Sequence, residues 1–335
     1  MTQLQSTQPS DPSLDPVALA LSLEAPDQPD EHLVRPSLAS LIGSVVAIIL
    51  PFLGLIAAMI LIWHTEFSWL NLSLFFGGYV ITTLGVTVGY HRLFTHKSFK
   101  TNRVVTAVLG ILGSMALQGS ILQWVSTHRR HHQHTDRPDD PHSPHAYGTT
   151  LMGMLRGMIH SHFGWFFSKA PTREVMNKYV PDLLADPVVP TISKWFGFWA
   201  IFGLLLPGAI GFAVTQSWLG ALMAFIWGGL LRVFFVHHVT WSVNSVCHLW
   251  GRRPFNTHDE SRNNLVMGIL AMGEGWHNTH HAFPASARHG LRWWEVDVSY
   301  WIIKCMSWIG MAKEIKIPPA ERIEAKRSRA RVTHS

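Results

Sequence analysis

Four long apolar runs, Leu41–Trp63, Trp69–Gly89, Trp195–Val214 and Trp218–Val236, set the terms on which this chain can fold. Each is long enough to cross a hydrocarbon layer about 30 Å thick. The only charge within them is Arg232, placed where it can snorkel from the last turn or meet a polar cap. In lipid, backbone amides must be satisfied within their own segment, so such runs form helices. His64–Ser68 and Thr215–Ser217 leave room only for tight turns, which makes two helical hairpins. No Lys or Arg falls between Pro36 and Tyr90 or between Trp195 and Leu231. Every basic residue therefore lies on the side holding both termini and the long middle segment, and the positive-inside rule assigns that side to the cytoplasm. The expected fold is all-α and integral to a membrane, with four transmembrane helices under a cytoplasmic, histidine-rich helical cap.

Composition agrees with that reading. The chain is 47% hydrophobic and 14% charged, against about 25% charged in soluble domains. Its 15 Trp suit membrane interfaces. The net charge of +6 follows topology and does not call for a nucleic-acid partner. Residues 1–36 are rich in Pro, Ser, Asp and Gln and lack a basic start, so they read as a disordered tail, not a signal peptide. Residues 37–314 form the membrane domain, and 315–335 a basic tail, solvated or touching anionic lipid. Val104–Val125 is apolar enough to count as a fifth span, which would put histidine groups on opposite sides of the membrane. Gly110, Gly113, Ser114, Gln118, Gly119 and Ser120 interrupt it, as fits a helix packed under the cap.

The cap is organised around histidine, 21 residues of 335. At this frequency H-x-x-H-H should arise about 0.08 times. It arises twice, as His128, His131 and His132 and as His277, His280 and His281. On a helix the i, i+3 and i+4 positions share a face. His91 and His96 form a third group directly after an apolar run, and His248 is a candidate ninth ligand. With only Cys247 and Cys305 present, metal ligands must be nitrogen or oxygen. Nine imidazoles exceed what one transition ion can use, so two ions sharing them as four and five is the economical count. Asp136, Asp140 and Glu274 are expected to orient imidazole N–H groups, with Asp139 left to solvent. His64, His160 and His289 belong to no group and are expected to be dispensable. Zinc hydrolysis would call for H-E-x-x-H, which is absent.

The motifs H-R-L-F-T-H, H-R-R-H-H, N-S-V-C-H and G-E-G-W-H-N-T-H-H-A-F-P resemble those of the membrane-bound fatty acid desaturases, specifically the delta-9 acyl-CoA or acyl-lipid group that includes stearoyl-CoA desaturase. The resemblance covers about Leu41 to Met311. It implies two irons, O2 as co-substrate and electrons from a small carrier protein, the product being a double bond in an acyl chain. Carried over, it makes His91, His96, His128, His131, His132, His248, His277, His280 and His281 iron ligands, with Asn244 holding an iron through water. It places Gln118, Trp124 and Thr240 along the bend of an acyl tunnel and makes Tyr79 a candidate for the tunnel's closed end. No heme-binding His-Pro-Gly-Gly occurs, so the implied donor is separate, ferredoxin-like or of the cytochrome b5 type. The acyl carrier, coenzyme A, a carrier protein or a glycerolipid, stays open. So does hydroxylation on the same scaffold. A histidine-lined metal transporter would put ionisable groups within the spans, which are nearly free of them.

Overall fold

The computed structural model describes residues 33–61 and 68–327. Residues 1–32 of the expected N-terminal tail and most of the first hairpin turn lie outside those residues, while Leu33 and Val34, at the end of that tail, pair antiparallel with Pro171 and Ala170. Four helices are long and apolar enough to cross a membrane: α1 (Leu38–Leu61), α2 (Trp69–Thr95), then, beyond the middle segment, Phe196–Thr215 and Trp218–Leu249. The middle segment contributes α3 (Arg103–Ser114), α4 (Ile121–His134) and α5 (Leu151–His162), followed by three helices of four to six residues. Phe196–Thr215 is α6 and Trp218–Leu249 is α7; the cap is completed by α8 (Leu265–Leu270), α9 (His277–Ala282), α10 (Val298–Trp308) and α11 (Ala320–Lys326).

Two helices run past the ends that hydropathy assigns them. α2 continues six residues beyond Gly89 and α7 thirteen beyond Val236. The extra turns are polar and are held by the cap packed around them, so the hydrogen-bonded rod outlasts the apolar pattern. Both helices contain a π-wound stretch, Gly85–Thr95 and Phe225–Leu231, and such widened turns often serve functional sites. The first of them carries His91 and Arg92. It sits so close to α3 that a Cβ on Gly85 would lie 2.3 Å from the Gly113 nitrogen.

Residues 104–125 do not span. α3 has 12 residues, hence a length of about 18 Å, too short for the bilayer core. It ends in an irregular turn at 115–120, with Leu117 at φ 57°. Irregular backbone at membrane depth survives only where protein satisfies it, and α7 supplies the donors. Arg232 donates to Met115 O (2.8 Å) and to Gly203 O on α6 (2.9 Å), while His237 Nε2 lies 3.0 and 3.1 Å from Ala116 O and Leu117 O. Arg232 thus neither snorkels nor reaches the histidine groups. It is 1% exposed and ties α3, α6 and α7 together through backbone carbonyls. Ser120 then caps α4, whose side chains turn back toward α2.

The chain beyond α10 returns to the cap. Lys100 and Thr101 pair antiparallel with Lys313 and Ala312. Lys326 Nζ donates to Ala282 O at the end of α9, and Ile323 packs against Phe255, Ala282 and Phe283. Residues 315–327 are thus bonded to the histidine cap, a docking that their charge pattern alone does not reveal.

Replacing Arg232 by Met removes the donors to two buried carbonyls, a loss of about 1–3 kcal/mol for each group left unpaired. Arg232→Met is expected to lower the melting temperature in detergent by several degrees, whereas Phe235→Ala, on an exposed part of α7, should change it little. An unchanged melting temperature in Arg232→Met would show that the turn at 115–120 is held by something else.

Candidate metal centre

Side chains from α2, α4, α7 and α9 meet where the two overlong helices emerge beneath the cap. The nine histidines of the sequence analysis form two groups. His91, His96, His128, His132 and His280 make one, and His131, His248, His277 and His281 the other; within each, the ring nitrogens lie within 4.8 Å of one another. Each H-x-x-H-H motif is split between them. The i and i+4 residues go to one group and the i+3 residue to the other, in opposite senses for α4 and α9. At about 100° per residue, i+3 and i+4 flank position i on either side, so one helix face becomes two adjoining sites.

The ring orientations are fixed from behind. His131 Nδ1 sits 2.9 Å from Asp140, His248 Nδ1 2.9 Å from Asp136, His281 Nδ1 2.9 Å from Asp259, and His91 Nδ1 2.6 Å from Glu274. A carboxylate at Nδ1 holds the proton there and leaves Nε2 with a free lone pair. The Nε2 atoms then converge. His128–His132, His132–His280 and His91–His280 are separated by 3.1, 2.9 and 3.1 Å, and His248–His277 and His277–His281 by 3.0 and 3.1 Å. Metal–nitrogen bonds of about 2.1 Å at right angles give edges near 3.0 Å. The Nε2 atoms of His96 and His131 are buried without a hydrogen-bond partner among the described residues. Donor set, spacing and orphaned nitrogens all fit a di-metal site.

Electrostatics point the same way. Burial, reinforced by neighbouring imidazoles, pushes His96, His128, His132, His277 and His280 well below the usual histidine value, which keeps these rings neutral and able to ligate. Burial alone would raise Asp136, Asp140 and Asp259, but the facing imidazoles and hydrogen bonds hold all three below the usual carboxylate range. Glu274 is likewise buried yet kept ionised, first by Arg92 and then by His91 and His289.

Several of these partners escape sequence reasoning. Asp259 lies in an irregular polar loop, and nothing but its acidity marks it. Arg92 is fully buried and bonds Glu274, Asp297 Oδ1 (3.0 Å) and Ala287 O (3.0 Å). His289, expected to be dispensable, has no exposed surface; its Nδ1 lies 3.1 Å from Arg92 Nη2 and its ring 4.6 Å from that of His280. His142 is equally buried, 4.3 Å ring to ring from His131. Asp139 has no such role, in line with its reading as a solvated residue. Arg129, inside the second motif, forks onto Asp182 at 2.7 and 3.0 Å and donates to Phe94 O and Thr95 O, so it fastens α4 to the end of α2.

Beside the histidines lies a largely apolar cavity of about 570 Å³. His91, His128, His277, Asn244 and Glu274 form one wall, and Gln118, Trp124 and Thr240 also line it. Trp124 stacks on His128 at 4.9 Å, and Gln118 Nε2 donates to Thr240 Oγ1 at 2.8 Å, linking the irregular turn to α7. Tyr79 does not line the cavity. Its hydroxyl donates to Leu270 O at 2.7 Å, and its ring packs against Val86, Ala116 and Val236 on one side and Val239 and Val243 on the other.

Residues 67–304 match the family described as "Fatty acid desaturase". The chain is 38% identical over 281 residues to the hex-5-enoyl-[acyl-carrier protein] acetylenase of Moorena producens, covering 83% of this chain and 87% of that protein. It is 38% identical over 269 residues to the sn-1 stearoyl-lipid 9-desaturase of Anabaena variabilis (79% and 92% covered) and 36% identical over 273 residues to the acyl-CoA C20 Delta5-desaturase of Anemone leveillei (80% and 80%). The three names differ in acyl carrier, and the two desaturases differ in position, 9 against Delta5.

Asp259→Asn tests the role of the carboxylate that spacing did not reveal. Loss of such a partner costs about 10- to 100-fold in metal affinity or activity. Metal retained per chain after graded chelation should fall for Asp259→Asn and stay unchanged for Asp139→Asn. Equal retention in both variants would remove Asp259 from the site.

Proposed function

Because the chain belongs to the fatty acid desaturase family, we propose that it introduces a cis double bond, at delta-9, into a saturated fatty acyl chain. The observation that carries the reading is the apolar cavity walled at one place by both histidine groups. The nine histidines would hold two irons, five on one and four on the other, with Asn244, one turn before His248 on α7, reaching the second through water. Iron would supply, with O2, two electrons and two protons, the oxidising power to take two hydrogens from unactivated carbons, the two oxygen atoms leaving as two waters. The electrons come from a separate carrier, ferredoxin-like or of the cytochrome b5 type.

The chain's own residues do the rest. The carboxylates of Asp136, Asp140, Asp259 and Glu274 keep protons on Nδ1 and the ligating nitrogens bare. The apolar lining keeps water from the reacting carbons, and a saturated chain with many rotamers is confined to one path. Trp124, braced against His128, forms the wall opposite the reacting carbons, and the Gln118–Thr240 pair holds the bend that selects them. Both termini and the cap would face the cytoplasm, with the turn near Glu66 outside.

Purified protein from iron-replete cells should contain about two irons per chain. One zinc and no iron would defeat the assignment. Lipids from cells expressing the protein should gain monounsaturated chains, with the double bond located by mass spectrometry. Hydroxylated chains without new double bonds would favour the hydroxylase reading. His281→Ala should abolish the product, and Trp124→Ala should lower turnover or spread the double-bond position without loss of iron. Full activity in His281→Ala, or an unchanged rate and position in Trp124→Ala, would overturn the corresponding role.

A further inference from the structure

The cavity does not end inside the protein. Beyond the histidines its walls are the first halves of α1 and α6, from Ser40 to Pro51 and from Phe196 to Leu204. These are the two spans that bury the least of their own surface. Val46, Leu50 and Ile201 line the cavity and are also 50%, 37% and 60% exposed. Exposed lining residues on both helices are what a cavity open to the surface between them presents. The opening therefore lies on the membrane-facing flank, between two helices that cross the bilayer, in the half nearest the histidines.

Its chemistry is graded. Ser40, Ser44 and Gln123 line the end near the cap, with Ser40 and Gln123 exposed, whereas Val46, Ala47, Leu50, Pro51 and Ile201 form the deeper edges. The eleven steps from Ser40 to Pro51 rise about 16 Å, half of a hydrocarbon core. A polar rim over an apolar slot at that depth matches an amphiphile already seated in the bilayer, its ester at the interface and its chain below. A chain moving sideways through such a slot passes from lipid to apolar wall without meeting water, so no hydrophobic cost opposes entry.

We propose that this opening is a lateral portal through which the acyl chain of a membrane glycerolipid slides between α1 and α6 to the histidine groups. This rests on the desaturase reading and names its substrate class: an acyl chain esterified in the bilayer, not a thioester delivered from water.

The test uses the full chain in phosphatidylcholine vesicles doped with phosphatidylcholine bearing a diazirine at mid-chain of one acyl group. Photolysis should label cavity peptides that contain Trp124 or Thr240. Labelling there should fall at least ~tenfold in Ala47→Trp and Ile201→Trp, which fill the slot, a loss of the order expected when a substrate is kept from its position. Ile49→Trp, exposed on α1 but off the cavity wall, should label like the unmodified protein. Ala47→Leu serves if the larger side chain lowers the melting temperature. Absence of cavity labelling, or equal labelling in the filled variants, would overturn the portal. Desaturation is measured in parallel, with a reduced donor, on the vesicle lipid and on stearoyl-coenzyme A. Product from the thioester alone sinks the substrate class and leaves the desaturase reading intact. Product from neither sinks that reading, while the labelling still decides whether lipid enters.

Discussion

Four contacts between a carboxylate and the rear nitrogen of an imidazole set the geometry on which the cap depends. Asp136, Asp140, Asp259 and Glu274 each fix one ring, and those rings place the others through Nε2 separations of about 3 Å. So many bare nitrogens held together in a buried space are unfavourable unless a cation lies among them. The carboxylates face the rings from outside the clusters. Their charge therefore offsets that of bound metal without occupying its coordination positions.

The carboxylates are in turn held by the frame. Arg92 bonds Glu274 and Asp297, and Arg129 fastens α4 to the end of α2. Both belong to motifs that carry the ligands, and Arg129 of the second motif bonds backbone carbonyls of the first, Phe94 O and Thr95 O. His289 and His142 complete the packing between these networks and the rings.

The membrane imposes the second constraint. Two histidine motifs flank residues 104–125, and they can share a site only if that segment returns to the side from which it came. Its turn at 115–120 leaves carbonyls bare at a depth where lipid offers no donors. Arg232 and His237 supply them, which accounts for a fully buried arginine in a span with no acidic partner among the described residues. The same turn presents Gln118 to Thr240. The device that keeps the segment from spanning thus also shapes one wall of the cavity.

The sequence by itself determined the four apolar runs and the two H-x-x-H-H groups, because apolar runs and i, i+3, i+4 spacing are local and survive without knowledge of neighbours, while His91, His96 and His248 joined them as a ligand set through the motif resemblance. Trp124 was legible from the motif resemblance, and it stands one turn ahead of His128 on a single helix. Only the tertiary structure decided which histidine joins which group, since that depends on how α4 and α9 face each other across the site. It alone brought Asp259, His289 and Arg92 to the rings, for Asp259 lies 22 residues from His281 and Arg92 is 197 from His289 and 205 from Asp297, and no spacing rule connects them. It also set the Tyr79 hydroxyl against Leu270 O, because a residue's distance along a span does not say which side of the helix it faces.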